Sequence, residues 1–261
     1  GSIESGTDIS RCAQLHTIGV DGAGLAVVAD SFAALEQRVE RERLVGWEEV
    51  HQALHEDFAG IQGERLRQML AASERYCQGG SLGDRWARRV TECFRQLVHN
   101  QPMPEGSQLV PGWFSWSRTI LYGQRVDATP NGRHAHTPIS HGANPVPGFR
   151  KDGAVTAQST GIASVQLSLG NTAPLQLEFD PRISEEEGGI ERILQLILQH
   201  FRLGGTLVNI NVLDGEKLLA AHKNPALYPD LVVRVTGFTA YFVSLSRQFR
   251  QLVVDRFLNG F

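Results

Sequence analysis

Apolar positions along the chain follow two rhythms. From Leu25 to about Val98 they recur at three- and four-residue intervals, the spacing of helical faces. In the last third, short alternating runs of the kind that form strands are interleaved with further helical stripes. Leu25 to Arg43 is the first helical run. "LVGWEEVHQALHEDF" sets Trp47, Val50, Leu54 and Phe58 on one face, and "GERLRQMLAASERY" does so with Leu66, Met69, Leu70 and Tyr76. "DRWARRVTECFRQLV" does so with Trp86, Val90, Phe94 and Leu97 or Val98.

The texture changes near Gln101. Prolines lead into an aromatic and β-branched run, Trp113 to Tyr122, which predicts a strand. The tract "DATPNGRHAHTPISHGANPVPGFRKDGAVTA" then holds so much Gly, Pro and Asn that it predicts a long loop, a kind of segment that is usually functional or disordered.

Beyond it, Ser184 with Glu187 three residues on has the pattern of a capping box, and Ile190, Ile193, Leu194, Ile197, Leu198 and Phe201 form one apolar stripe ended by Gly204-Gly205. "TLVNINVL" is a strand with Val208, Ile210 and Val212 on one face and Asn209 and Asn211 on the other; the two amides need partners wherever that second face is buried. A helix from Gly215 to His222 and the apolar strand "LVVRV" follow, an order that predicts neighbouring parallel strands joined by a crossover. A last helix carries Phe249, Leu252, Val253 and Phe257 on one stripe.

Composition narrows the class. The chain has 261 residues, 41% of them hydrophobic, and a net charge of -3 with basic residues scattered among acids. That balance supplies no basic field for nucleic acid, and no apolar run approaches the roughly 20 residues of a membrane helix. Three cysteines, Cys12, Cys77 and Cys93, lack any CxxC or Cys/His ligand spacing, which fits free thiols and a cytoplasmic location. Gly1-Ser2 reads as a cloning remnant, so the chain is expected to be a piece of something longer.

Candidate chemistry concentrates at "VVRVTGFTAYF", where a buried-type strand stops on Thr236-Gly237-Phe238 and then resumes. Glycine in such a place usually serves backbone geometry, because it alone enters positive φ without steric cost. In α/β folds, however, loops after buried strands commonly carry the chemistry. His134, His136 and His141 sit in the Gly/Pro-rich tract at a spacing without a distinctive metal pattern, and are read as loop contacts. The "DGAG" beside Asp21 lacks the strand, helix and lysine of a phosphate loop.

"RVTGFTAYF" resembles the radical-bearing motif of the glycyl radical enzymes, with Phe238 where the family commonly has Tyr. The resemblance extends through Gly132-Arg133, the Pro138, Ser140 and Gly142 element, and the Gly153, Thr156 and Ala157 element. It continues in "FRLGGTLVNINV" and in the opening "GTDIS" and "GVDGAGLAVVADSFAAL", the Ala29-Asp30-Ser31 triplet being taken as a helix start. Nearly the whole chain is covered, in the right order.

The resemblance implies an α/β fold: the C-terminal part of a ten-stranded α/β barrel with a helical N-terminal region. Residues 1–127 would belong to the pyruvate formate-lyase-like domain and 128–261 to the glycine radical domain. It makes Gly237 the radical-storage residue, with aromatic residues after it shielding the radical from water and oxygen.

The family's organic radical is oxygen-sensitive and suits anaerobic life. It is installed by a separate activating enzyme that uses an iron-sulfur cluster and S-adenosylmethionine, so no cofactor is expected to be bound here. The remaining partners would be an N-terminal half carrying the thiyl cysteine, a small-molecule substrate and, among possible assemblies, a homodimer. No thiyl cysteine is assigned: "SRCAQ" around Cys12 lacks the family's Gly-Cys pair, and Cys77 and Cys93 fall on predicted helices. A lyase or dehydratase is the favoured reaction class. A pyruvate formate-lyase-type acyltransferase, a non-catalytic spare-part protein and a plain structural fragment in which Gly237 only turns the chain stay open.

Overall fold

The computed structural model describes residues 1–9, 12–13, 16–103, 107–114, 118–147, 154–166 and 170–259. Gly153 of the motif segment, Ser10 of "GTDIS" and positions 115–117 of the expected Trp113–Tyr122 strand lie outside these residues.

After a single helical turn, α1 (Ser2–Ser5), strand β1 (His16–Asp21) runs parallel to β2 (Ser107–Gly112), with His16 opposite Ser107 and Asp21 opposite Gly112. Their connection is the helical region read from the 3.6-residue rhythm. It comprises α2 (Leu25–Ala34), extended by wider π-type turns over Leu35–Arg41, then α3 (Trp47–His55), α4 (Gly60–Ala71) and α5 (Leu82–His99). Ser81 and Asp84 cap α5 reciprocally, each side chain accepting the other's backbone N–H at 3.0 Å. Helices α2 and α5 lock together where Phe32 stacks on Trp86 at 4.6 Å and the Trp86 indole donates to Glu36 at 2.6 Å.

Ala29-Asp30-Ser31 lies inside α2 rather than at its start. Asp30 is buried there and accepts the Tyr76 N–H at 2.7 Å and the Arg75 guanidinium at 3.1 Å. Burial raises its pKa, partly countered by Arg75 and the Tyr76 amide. Cys77 is in a turn with positive φ, not on a helix, whereas Cys93 is on α5.

The expected Trp113–Tyr122 strand is displaced. The strand is β2, which ends before Trp113, and Thr119–Gly123 is instead a short helix, α6. Pro111 is tolerated in β2 because a two-stranded sheet leaves free edges. Trp113 turns inward and donates its indole N–H to Thr91 at 2.9 Å.

Helix α7 (Val155–Gln166) leads to β3 (Leu175–Phe179), buried at all five positions, which pairs in parallel with β4 (Val208–Val212). Between them lies α8 (Gly189–Arg202). The Ser184 capping box does not form. Asp180 caps a 3₁₀ turn over Pro181–Ser184 by accepting the Arg182 N–H, Ser184 donates to the Pro181 carbonyl, and α8 starts only after Gly188. Its end is as expected, with Gly204 in the left-handed region at φ 98°.

Helix α9 (Gly215–Lys223) is followed by β5 (Val232–Arg234), β6 (Thr239–Tyr241) and α10 (Arg247–Asn259). Here too the expectation is corrected: β5 is no parallel neighbour of β4 but pairs antiparallel with β6. The chain reverses at Thr236–Phe238, only a few residues beyond β5, so β6 takes the available edge.

Two principal cores result. The larger gathers Leu25, Ala26, Ala29 and Tyr76 with Ile162, Leu175 and Leu177; the second, confined to the C-terminal elements, gathers Leu213, Leu218, Val233, Val235, Phe242 and Val253. No helix among the described residues is long and apolar enough to cross a membrane.

Candidate functional site

Gly237 is at the tip of the β5–β6 hairpin. The strand before it is anchored by the buried Val233 and Val235, and Thr236 is also buried, so the backbone reaches the tip from a fixed base. The Val235 N–H donates to the Phe238 carbonyl at 3.0 Å and closes the reversal.

The tip itself is exposed. Phe238 is 46% exposed and Tyr241 is exposed too, so in this chain the following aromatics do not shield Gly237 as the sequence suggests. The hairpin has only two short strands, with Val232, Thr239 and Tyr241 exposed.

The conformation bears on why glycine stands there. Gly237 is absent from the positive-φ glycines, and a Cβ built on it meets no atom within 4 Å. Backbone strain and crowding, the two ordinary reasons for a fixed glycine, are therefore both missing. Gly132, by contrast, has φ 84°, and its Cβ would lie 2.8 Å from Ala71.

Under the hairpin runs a cleft of about 80 Å³, walled by Ser140, Gln176, Glu178, Thr236, Phe249 and Arg256 among others. Sequence reading singled out Ser140 in the Pro-x-Ser-x-Gly element, and the structure brings it here together with His141 and Thr236. Among the described residues Ser140 Oγ, both amide atoms of Gln176 and Arg256 Nε have no hydrogen-bond partner, although Ser140 and Gln176 are at least nine-tenths buried. Phe249, Leu252 and Val253 of α10 give the cleft apolar lining, and Ser140, Gln176, Glu178 and Arg256 give it polar groups.

The loop that carries Ser140 is organised by Arg133. Its guanidinium donates to the carbonyls of Val126, Asp127, His134 and Thr137, with the Thr137 bond at 2.7 Å. A planar five-donor fork can satisfy so many carbonyls at once. His134 sits 3.2 Å from Asp57, His136 contacts the Gln124 carbonyl at 2.9 Å, and His141 lines the cleft. Among the described residues no three His, Cys, Asp or Glu side chains gather as a metal site.

The asparagines of β4 find the partners their burial demands. Asn211 accepts the Arg234 N–H at 2.7 Å and donates to the Arg234 carbonyl at 2.9 Å, so its amide takes the place of a strand peptide beside β5. Arg256 of α10 donates to the Val235 carbonyl at 2.6 Å and to the Arg234 carbonyl at 2.9 Å, and lies 3.2 Å from the buried Glu178 of β3. Arg256 and Glu178 carry no local motif and were missed in sequence; only the demand for partners for Asn209 and Asn211 signalled the arrangement.

The cysteines stay apart from this site. Cys77 is buried and donates weakly to the Gln158 carbonyl, and burial pushes its thiol pKa well up. Cys12 is exposed among the hydroxyls of Ser2, Thr7 and Ser5, which lower its pKa, and Cys93 is exposed. None lines the cleft.

Comparison with known proteins covers most of the chain. Residues 1–123 match the family described as pyruvate formate lyase-like, and residues 139–243 match the one described as glycine radical. The chain is similar to trans-4-hydroxy-L-proline dehydratase of Clostridioides difficile, 26% identical over 97% of this chain and 32% of that protein. It is similar to isethionate sulfite-lyase of Oleidesulfovibrio alaskensis, 27% identical over 95% of this chain and 31% of that protein. Its fold matches the glycerol-bound B12-independent glycerol dehydratase of Clostridium butyricum with TM-score 0.89 and 27% identity, over 97% of this chain and 32% of that one. The chain thus spans about a third of the length of the curated relatives it matches.

Proposed function

The chain belongs to the glycyl radical enzymes, its α/β architecture being part of their barrel with a helical N-terminal region, and from that premise we propose that it stores a backbone radical on Gly237. The observation that carries the assignment is the free space at the hairpin tip: neither φ nor packing demands glycine there. A demand of the chemistry remains. Loss of one Cα hydrogen leaves a planar carbon whose unpaired electron spreads over the flanking carbonyl and amide nitrogen, and a side chain would crowd that planar form.

In the whole protein the radical then works through a thiol. A cysteine S–H bond breaks, its hydrogen forms the second Cα–H bond of Gly237, and the thiyl left behind abstracts hydrogen from a small metabolite. We read the thiyl cysteine as lying outside this chain, a reading supported by the cleft, which none of the three cysteines lines. We read residues 1–127 as part of the pyruvate formate-lyase-like domain and residues 128–261 as the glycine radical domain.

Lyase or dehydratase chemistry is the favoured class, supported by relatives that are dehydratases and a sulfite-lyase. The partners of this reading are a radical S-adenosylmethionine activating enzyme, the remainder of the barrel and a small-molecule substrate, in an anaerobic cytoplasm. With most of the barrel supplied from outside, this chain alone is expected to be inactive.

The test is electron paramagnetic resonance after anaerobic incubation of the full-length protein with its activating enzyme, S-adenosylmethionine and a reductant. A doublet from the single remaining α-hydrogen, lost in Gly237→Ala, is the expected result. Air should then cut the activated chain at Gly237 and separate the segment that follows it. An activated chain that survives air intact overturns the assignment.

A further inference from the structure

The C-terminal elements have their own apolar core, and the hairpin they carry meets β3 and β4 through polar groups rather than shared apolar packing. Two side chains from different elements converge on two consecutive residues just ahead of the tip, and a third, from another element, joins them. Asn211 of β4 brackets the Arg234 peptide unit from one side, at 2.7 and 2.9 Å. Arg256 of α10 takes the carbonyls of Arg234 and Val235 with separate nitrogens, at 2.9 and 2.6 Å. Glu178 of β3 ties both together, 3.2 Å from Arg256 and 3.4 Å from Asn211. Arg234 turns its own guanidinium toward Asn209 at 3.4 Å and Thr239 at 3.2 Å.

We propose that Arg256, Asn211 and Glu178 are positioning residues that fix Gly237 in one place by clamping the Arg234 and Val235 backbone. The location of the clamp is what gives it this role. Thr236 is buried, but Gly237 and Phe238 are exposed outside the strand ladder and the built Cβ of Gly237 finds no neighbour among the described residues, so no close packing seats these two residues of the tip. Its position is inherited from residues 234 and 235, whose carbonyls these side chains hold. Hydrogen transfer needs reacting atoms held within about 3–3.5 Å, so a loosened tip loses rate before it loses fold. Only the radical consequence rests on the function proposed above; the clamp is judged separately.

The first arm needs no radical. Amide exchange at Val235 reports whether the reversal stays closed, because that N–H donates to Phe238 while the carbonyl of its own peptide unit is held by the clamp. In Arg256→Gln the Val235 amide should exchange about tenfold to a hundredfold faster, the scale of losing hydrogen bonds to a charged group, while Val253 and Val254 in α10 keep their protection. Arg256→Lys keeps the charge but not the two-pronged grip and should also exchange fast. Glu178→Gln removes the buried counter-charge of Arg256 but keeps an acceptor for both partners, and should speed exchange at Val235 less than Arg256→Gln does. Unchanged exchange at Val235, or an equal rise at Val253 and Val254, overturns the clamp, the second outcome because the arginine would then serve only general stability.

The second arm measures radical per chain in the full-length protein after activation. Arg256→Gln should give several-fold less of the Gly237 doublet than the wild type; equal yields in the two count against the clamp. A wild type without a doublet overturns the radical site, and the exchange arm still decides the clamp.

Discussion

At the scale of single residues, two side chains and one missing side chain define the site. Gly237 has room for a methyl group and an ordinary backbone, so Gly237→Ala should fold and gain about 0.4–1 kcal/mol from the stiffer unfolded chain, measured by urea denaturation. A large loss would mean that glycine is structural after all. Arg133 holds four backbone carbonyls of the loop carrying Ser140, so Arg133→Lys should lower unfolding free energy by about 1.5–3 kcal/mol in the same assay. Both residues stood out in sequence through motif order. The openness of the Gly237 tip did not, because no short pattern tells which neighbours cover a loop. Arg256 was illegible for a related reason: its partners Glu178 and Val235 are remote in the chain, and the stripe that identifies α10 is read from its apolar residues.

Helices and strands were most legible where one face alone is buried. α5 follows its stripe, and β4 follows its alternation, although Val212 is exposed and the asparagine face is the more buried one. Periodicity marks faces but does not say which face meets a partner. α8 makes the same point: Leu196 and His200 are buried, Ile193 packs against the main core, and Ile190, Leu194, Leu198 and Phe201 are exposed.

His200 is the polar member of that buried side, 3.0 Å from Ser159 Oγ, with its ring against Gly205. Burial lowers its pKa below the ordinary 6.5. The unfolded chain therefore binds the proton more readily, so stability is full above pH 6.5 and falls as pH drops through that value toward the folded pKa. Urea midpoints at pH 7.5 and 5.5 should show this loss in the wild type and a smaller one in His200→Gln. An equal loss in both would assign the acid sensitivity to other groups. In the C-terminal unit, Leu218→Ala removes a fully buried side chain and should cost about 2–5 kcal/mol, read from denaturation of that unit.

For the whole molecule, sequence order alone conveyed the α/β class and the succession of helices and strands, and motif order conveyed the family. The pairing of β5 with β6 rather than β4, and the division into two principal cores, depended on contacts between distant segments that no local window contains. The exposed stripe on α8 and the exposed hairpin tip lie on a chain that covers about a third of its relatives' length. The polar join between the cores has a thermal consequence. Apolar burial strengthens on warming from the cold, whereas the join rests on hydrogen bonds and on the buried Arg256–Glu178 pair, whose desolvation penalty falls with temperature. The two cores and the join between them therefore answer to temperature by different physics, and the setting of Gly237 is not bound to follow the melting of the cores.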